Sequence, residues 1–108
     1  MNPGPILIGL PGPMLDDTSN AWLHHPAVGG VVLFTRNFED GEQLRKLVSD
    51  IRAARDPRLL VCIDQEGGRV QRLKDGFTLL PPLGVLGSLY RSDDNKALDM
   101  AYRHGRVM

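Results

Sequence analysis

The densest group of polar side chains in the sequence is the stretch from Asp64 to Arg72, which reads DQEGGRVQR. It directly follows an apolar run, Leu59–Ile63, that is typical of a buried strand. In parallel α/β folds, ligands bind at the loops that follow the carboxyl ends of strands. Asp64 accepts hydrogen bonds and Arg72 donates them, and a hydroxyl-rich ligand needs both, since an unpaired buried polar group costs about 1–3 kcal/mol. The stretch predicts sugar binding by Asp64 and Arg72, with a structural ion pair as the alternative.

Two other kinds of chemistry are conceivable for the same stretch. Asp64 and Glu66, two residues apart on a strand, would lie about 6.6 Å apart, taking about 3.3 Å of rise per residue. That is near the separation of about 5–5.5 Å for the carboxylate pair of a retaining glycosidase. The following Gly67-Gly68 pair indicates that the strand has already ended, which disfavours the pair, and a metal site on the same two acids lacks further ligands nearby. We expect the glycines to allow a sharp turn and to bring backbone N–H groups close to a ligand.

Other candidate residues are expected to be structural. Arg36 and Asn37 follow the second apolar run, at the same expected edge of the sheet, and ordering a neighbouring loop is favoured over contact with ligand. Structural roles are also expected for Cys62 as inert core, Trp22 as a packing residue, and His24 and His25 at a helix C-terminus.

Three short apolar runs are the predicted strands: Ile6–Leu10, Gly30–Phe34 and Leu59–Ile63. Each run is continuously apolar rather than alternating, which is typical of strands buried on both faces of a parallel sheet. Each ends in a polar or glycine-rich segment. The runs therefore predict the fold class as α/β.

The clearest predicted helix lies between the second and third runs. Four apolar residues follow the i, i+3, i+4, i+7 spacing of one buried helical face: Leu44, Leu47, Val48 and Ile51. Asp40 is the predicted N-cap, Gln43 completes a capping box, and Pro57 ends the helix. A shorter helix is predicted over residues 17–24, so strands and helices alternate.

After the third run, glycines and prolines mark a loop of about twenty residues, a length that indicates function. A helix is predicted from Asp94 onward, with an apolar face formed by Ala97, Leu98, Ala101 and Tyr102. Three strands are far fewer than the eight of a closed barrel. We therefore expect residues 1–108 to be a truncated, opening part of a larger domain, with a sheet that is not closed.

Composition restricts the possible partners. The 13 basic and 13 acidic side chains balance, so the protein has no net electrostatic field that would attract nucleic acid or an anionic membrane.

The sequence also restricts the cellular location. One cysteine allows no internal disulfide, and no basic leader precedes the first apolar run. No run approaches the roughly 20 apolar residues of a membrane span. A cytoplasmic location is expected. Nothing in the sequence requires a metal or cofactor, and the oligomeric state is not predicted.

Two blocks of the sequence resemble bacterial β-N-acetylhexosaminidases of glycoside hydrolase family 3. HPAVGGVVLFTRN over residues 25–37 is similar to their second-strand signature, and IDQEGGRVQR over residues 63–72 to their third-strand signature. Residues 76–78 and 80–81 fit as well. The resemblance implies a TIM-type (β/α)₈ barrel, of which this chain holds about three strand–helix units. It also implies hydrolysis, with retention, of terminal N-acetylglucosamine from peptidoglycan fragments (muropeptides) during cell-wall recycling in the cytoplasm.

The resemblance assigns roles residue by residue. Asp64 and Arg72 match the family's sugar-binding aspartate and arginine. The further sugar-binding residues, the histidine that transfers the proton and the aspartate nucleophile are expected downstream of Met108, so no catalytic residue is predicted in this chain. Asp93-Asp94 follows a serine, as the nucleophile does, but it lies in the wrong element.

Two alternatives remain open. The chain is then either a non-catalytic or partner-completed sugar-binding fragment, or a fragment of a family 3 β-glucosidase. The block from Gly29-Gly30 to Arg36-Asn37 favours the hexosaminidase branch over the β-glucosidase branch.

Overall fold

The computed structural model describes residues 3–108, which form two compact units that divide between Asp64 and Gln65. The first unit contains, in order, β1 (Ile6–Ile8), α1 (Asp17–Leu23), β2 (Val28–Leu33), a short 3₁₀ turn (Thr35–Asn37), α2 (Gly41–Ala53) and β3 (Leu60–Ile63). The second contains β4 (Gln65–Gly67), β5 (Val70–Gln71), α3 (Leu83–Tyr90) and α4 (Asp94–Val107).

The first unit is a three-stranded parallel sheet with the strand order β1-β2-β3. Strands β2 and β3 pair in regular register, with Val31 opposite Val61 and Leu33 opposite Ile63. A helix follows each of the first two strands, since parallel neighbours need a crossover connection. The predicted α/β class is confirmed, and these three strands do not close a barrel.

The core of the first unit lies between the helices and one face of the sheet. It consists of Leu10, Leu23, Val28, Val31, Leu33, Leu47, Ile51 and Leu59. β2 is buried along nearly its whole length, as its apolar run predicts. β3 alternates instead, because Leu60 and Cys62 point to the uncovered face of the sheet and are exposed. The prediction that Cys62 is inert core is therefore wrong.

Helix α1 begins at an aspartate cap. The Asp16 carboxylate accepts a 2.7 Å hydrogen bond from the Ser19 backbone N–H. This contact satisfies one of the N–H groups that a helix leaves unpaired at its start. Trp22, predicted to be a packing residue of this helix, is 47% exposed.

The two adjacent histidines have different roles. His24 is the C-cap of α1, as predicted, and its Nδ1 donates to the Asn20 carbonyl at 2.8 Å. The ring of His25 instead accepts from the Ala27 N–H at 3.1 Å, in the turn that leads into β2.

Helix α2 confirms the predicted face and cap. Leu47 and Ile51 are buried, and Asp40 accepts from the Gln43 N–H at 2.8 Å. The Gln43 side chain accepts from the N–H of Glu39, one residue before the cap, so the capping box closes one residue earlier than predicted. The helix ends at Ala53, before the proline that was predicted to end it.

The second unit begins with an antiparallel hairpin, β4–β5, where the sequence predicted an unstructured loop. Gly67 and Gly68 adopt positive φ values of +103° and +59° at its turn, conformations that glycine tolerates best. Helix α3 lies further along the same predicted loop and buries no side chain. It contains two glycines and lacks a side-chain cap, which explains why the sequence pattern did not predict it.

Helix α4 begins at the predicted position but buries a different face. Asp93 caps it by accepting from the Lys96 N–H at 2.9 Å. Ala97 and His104, seven residues apart, are buried, whereas Leu98 and Tyr102 of the predicted face are exposed. Within residues 3–108 no helix is both long and apolar enough to cross a bilayer.

Candidate functional site

Asp64 follows the last residue of β3, at the carboxyl edge of the parallel sheet. β1 and β2 end at the same edge, so the loops after both strands also lie there. The Asp64 side chain is partly buried. This is the position at which parallel α/β proteins hold ligand-binding residues.

A fully buried asparagine joins the loops after β1 and β2. The Asn37 amide donates to the carbonyls of Leu10 at 3.0 Å and Gly12 at 2.8 Å. Its oxygen accepts from the Phe34 N–H at 2.8 Å. One carboxamide therefore pairs three backbone groups that no strand satisfies.

Arg36 reinforces the same junction. Its Nε donates to the Leu10 carbonyl at 2.8 Å, and its guanidinium lies 4.7 Å from the centroid of the Phe34 ring. A side chain at Gly9 would approach within 2.9 Å of Arg36 Nη2. Since Asn37 and Arg36 both hold the β1 loop, the structural role predicted for them is confirmed.

Helix α2 braces these loops through Gln43. Its Nε2 donates to the carbonyls of Pro13 at 2.7 Å and Asn37 at 2.9 Å. The glutamine that closes the cap of α2 therefore also anchors the carboxyl edge of the sheet.

In the second unit, Gln65 fixes the backbone at Arg72. The Gln65 Oε1 accepts from the N–H groups of Arg72 and Leu73, both at 3.0 Å. Its Nε2 donates to the Leu73 carbonyl at 2.9 Å. The Arg72 side chain is partly buried. All three side-chain hydrogen bonds of Gln65 are therefore made to the backbone of two consecutive residues.

Gln71 holds the segment that follows. It is 3% exposed, and its Nε2 donates to the carbonyls of Leu73 at 3.0 Å and Thr78 at 2.9 Å. Its Oε1 accepts from the Leu80 N–H at 3.0 Å. Gln71 thereby closes the loop between residues 73 and 80.

The paired glycines serve packing within the second unit. The Gly68 N–H donates to the Leu80 carbonyl at 2.8 Å, so it is not directed at a ligand, contrary to the prediction. A Cβ at Gly68 would lie 2.7 Å from Pro82 Cγ, and one at Gly67 would overlap the Pro81 carbonyl oxygen. The absence of side chains lets the hairpin lie against residues 80–82.

A histidine of α4 holds the first strand of the hairpin. His104 is 6% exposed, and its Nε2 donates to the Glu66 carbonyl at 2.8 Å, since a carbonyl can only accept. The sequence analysis assigned no role to His104, Gln65 or Gln71. The seven-residue spacing from Ala97 was the signal that places His104 on the buried face of α4.

The alternative chemistries find no geometric support. Asp64 lies between β3 and β4 and belongs to neither strand, so the two-residue strand spacing to Glu66 does not apply. In the part of the chain that the structure describes, no three His, Cys, Asp or Glu side chains are grouped closely enough to hold a metal ion.

Within the first unit, Asp64 at the carboxyl edge of the parallel sheet lies where α/β proteins commonly bind ligands. Residues 8–108 match the family described as "Glycosyl hydrolase family 3 N terminal domain". The chain belongs to this family.

Curated relatives carry the name beta-hexosaminidase. The protein from Chromobacterium violaceum is 50% identical over 105 residues, which are 97% of this chain and 29% of the relative. The protein from Alkalilimnicola ehrlichii is 49% identical over 105 residues, which are 97% of this chain and 30% of the relative. This chain therefore spans about three-tenths of the length of these relatives.

Solved structures are similar over nearly the whole chain. NagZ from Neisseria gonorrhoeae in complex with N-trifluoroacetyl-D-glucosamine superposes with a TM-score of 0.94 at 41% identity, covering 99% of this chain and 31% of that one. A family 3 β-N-acetylglucosaminidase from Paenibacillus gives a TM-score of 0.78 at 28% identity, covering 94% and 19%.

Proposed function

We propose that residues 1–108 form the N-terminal part of the catalytic barrel domain of a β-N-acetylhexosaminidase and carry part of its sugar-binding site. The reaction is hydrolysis, with retention, of terminal N-acetylglucosamine from peptidoglycan fragments in the cytoplasm. The observation that carries the proposal is the 50% identity to a beta-hexosaminidase over 97% of this chain. The relatives' name favours this activity over that of a β-glucosidase.

Asp64 and Arg72 are the proposed sugar-binding residues. A carboxylate accepts two hydrogen bonds, so Asp64 suits a pair of neighbouring hydroxyl groups. The guanidinium of Arg72 donates to the same class of ligand. Two features support these roles: the position of Asp64 at the carboxyl edge, and the hydrogen bonds that fix the backbone of Arg72.

No catalytic role is assigned to any residue of this chain. The two carboxylates that matched a retaining pair in sequence, Asp64 and Glu66, do not share a strand. The nucleophile and the proton-transferring histidine are proposed to lie C-terminal to Met108. Residues 1–108 alone are expected to hydrolyse no aryl N-acetylglucosaminide.

The test uses the protein expressed from its complete reading frame and 4-nitrophenyl N-acetyl-β-D-glucosaminide as substrate. Asp64→Asn and Arg72→Ala should each lower kcat/KM about 10–100-fold, since a hydrogen bond to a charged group contributes about 1.5–3 kcal/mol. Asp56→Asn and Arg58→Ala are matched controls, because both residues are exposed and precede β3 at the opposite edge of the sheet. They should change kcat/KM less than twofold.

Binding gives a second, independent measurement. N-acetylglucosamine titrated into the protein should shift the NMR resonances of Arg72 and of the backbone at Asp64. Wild-type kcat/KM in both Asp64→Asn and Arg72→Ala, together with no shift at millimolar sugar, would remove the two residues from the site.

A further inference from the structure

The backbone of Arg72 is held by a side chain rather than by a strand partner. β5 ends at Gln71, so the N–H groups of Arg72 and Leu73 lie beyond the ladder between the two hairpin strands. Both N–H groups donate to the same oxygen, Gln65 Oε1, at 3.0 Å. Two consecutive amides that converge on one acceptor fix the orientation of the peptide between them, and with it the direction in which the Arg72 side chain leaves the backbone.

The donor side of the same carboxamide completes the contact. Gln65 Nε2 donates to the Leu73 carbonyl at 2.9 Å, which also accepts from Gln71 Nε2 at 3.0 Å. The amide of Gln65 therefore cannot rotate without losing hydrogen bonds on both of its ends.

The glutamine itself is anchored by its chain neighbour. The carbonyl of Glu66 accepts from Nε2 of the buried His104, which ties β4 to α4. Gly67 completes β4 by pairing with Val70 across the hairpin. Gln65 therefore extends from a strand that is held from two sides.

We propose that Gln65 is a positioning residue for Arg72: its carboxamide sets the backbone from which the guanidinium reaches the sugar. The inference rests on the proposed sugar-binding role of Arg72 and extends it to a residue that does not itself contact the ligand.

Three variants of the protein expressed from its complete reading frame test the inference. Gln65→Met keeps the length of the side chain and removes all three hydrogen bonds. Gln65→Glu keeps an acceptor for the two N–H groups, but it loses the donor to the Leu73 carbonyl and adds a negative charge. Gln43→Met is the matched control, since Gln43 also makes three side-chain hydrogen bonds, but in the first unit and to the loops after β1 and β2.

A double-mutant cycle with Arg72→Ala separates positioning from a general loss of structure. Gln65→Met should lower kcat/KM about tenfold in the wild-type background and have little further effect beside Arg72→Ala. Gln65→Glu should recover part of the loss. Gln43→Met should lower the melting temperature, and its effect on kcat/KM should be the same with and without Arg72→Ala.

The NMR signal of Arg72 Nε–H gives a measurement that does not depend on sugar. Its heteronuclear NOE should fall in Gln65→Met and stay unchanged in Gln43→Met. An unchanged NOE in Gln65→Met, or a Gln65→Met effect that is fully additive with Arg72→Ala, would overturn the inference. Wild-type kcat/KM in Arg72→Ala alone would instead refute the proposed sugar-binding role of Arg72, so the two failures are distinguishable.

Discussion

Replacement of the buried Asn37 should destabilise the first unit strongly. Asn37→Ala leaves the Gly12 carbonyl and the Phe34 N–H without the amide that pairs them. The Leu10 carbonyl keeps its hydrogen bond from Arg36 Nε. Both contacts are partly buried, and the loss of each costs up to about 3 kcal/mol, so the free energy of unfolding should fall by up to about 6 kcal/mol. That is a large share of the roughly 5–15 kcal/mol typical of a folded protein.

Urea denaturation followed by circular dichroism measures this change. Asn37→Leu is the informative companion, because it keeps the volume of the side chain while removing its hydrogen bonds. If unpaired groups rather than an empty cavity cause the loss, Asn37→Leu should be nearly as destabilising as Asn37→Ala. Asn20→Ala, at an exposed position of α1, should change the stability by less than about 1 kcal/mol. A loss below about 1 kcal/mol in Asn37→Ala would refute the reasoning.

Two further predictions concern a cap and a turn. The backbone N–H of Ser19 lowers the pKa of Asp16 from its ordinary 3.8, so the cap's contribution is complete above that value and lost as pH falls through the lower folded pKa. Asp16→Asn should therefore flatten the acid side of a stability–pH profile measured by urea unfolding, and an unchanged profile would count against the cap. Gly67→Ala should lower the melting temperature more than Gly76→Ala, since both have positive φ but only Gly67 has no room for a Cβ. Equal losses would show that backbone conformation alone matters.

The first unit was predictable because its signals are local. Continuous apolar runs identified the strands, and the spacing around Leu47 and Ile51 identified the buried face of α2. The exposure of Leu60 and Cys62 was not predictable, since they are as apolar as Val61 and Ile63 on the other face of β3. Which face of a strand is buried depends on the elements that pack against it, and the hydropathy of the strand itself does not identify those elements.

The second unit was harder to predict because its order depends on contacts between distant residues. The glycines at 67 and 68 mark the end of one strand in the sequence, yet in the structure Gly67 ends β4 and Gly68 begins a turn into a second strand. The exposed α3 has neither a cap nor an amphipathic pattern. His104 was detectable only by its spacing from Ala97.

The sequence predicted that Asp64 lies at the carboxyl edge of the sheet, because Asp64 directly follows the third apolar run. The sequence did not predict that Gln65 holds the backbone of Arg72. Gln65 reaches that backbone because β5 returns antiparallel and places Gln71 opposite Gln65. The sequence around a glutamine does not reveal which backbone groups its side chain will pair.

Neutral amides supply much of the side-chain bracing within each unit, alongside Arg36 in the first and His104 in the second, and physical reasons favour amides. Loops beyond strand ends leave both N–H and C=O groups unpaired, and one carboxamide can both accept and donate. Asn37 and Gln71 each accept once and donate twice, whereas Gln65 accepts twice and donates once. A carboxylate would offer only acceptors, and burying its charge would cost more than burying an amide. Replacing a bracing amide with an apolar residue of similar size should therefore change the local backbone geometry without changing the charge.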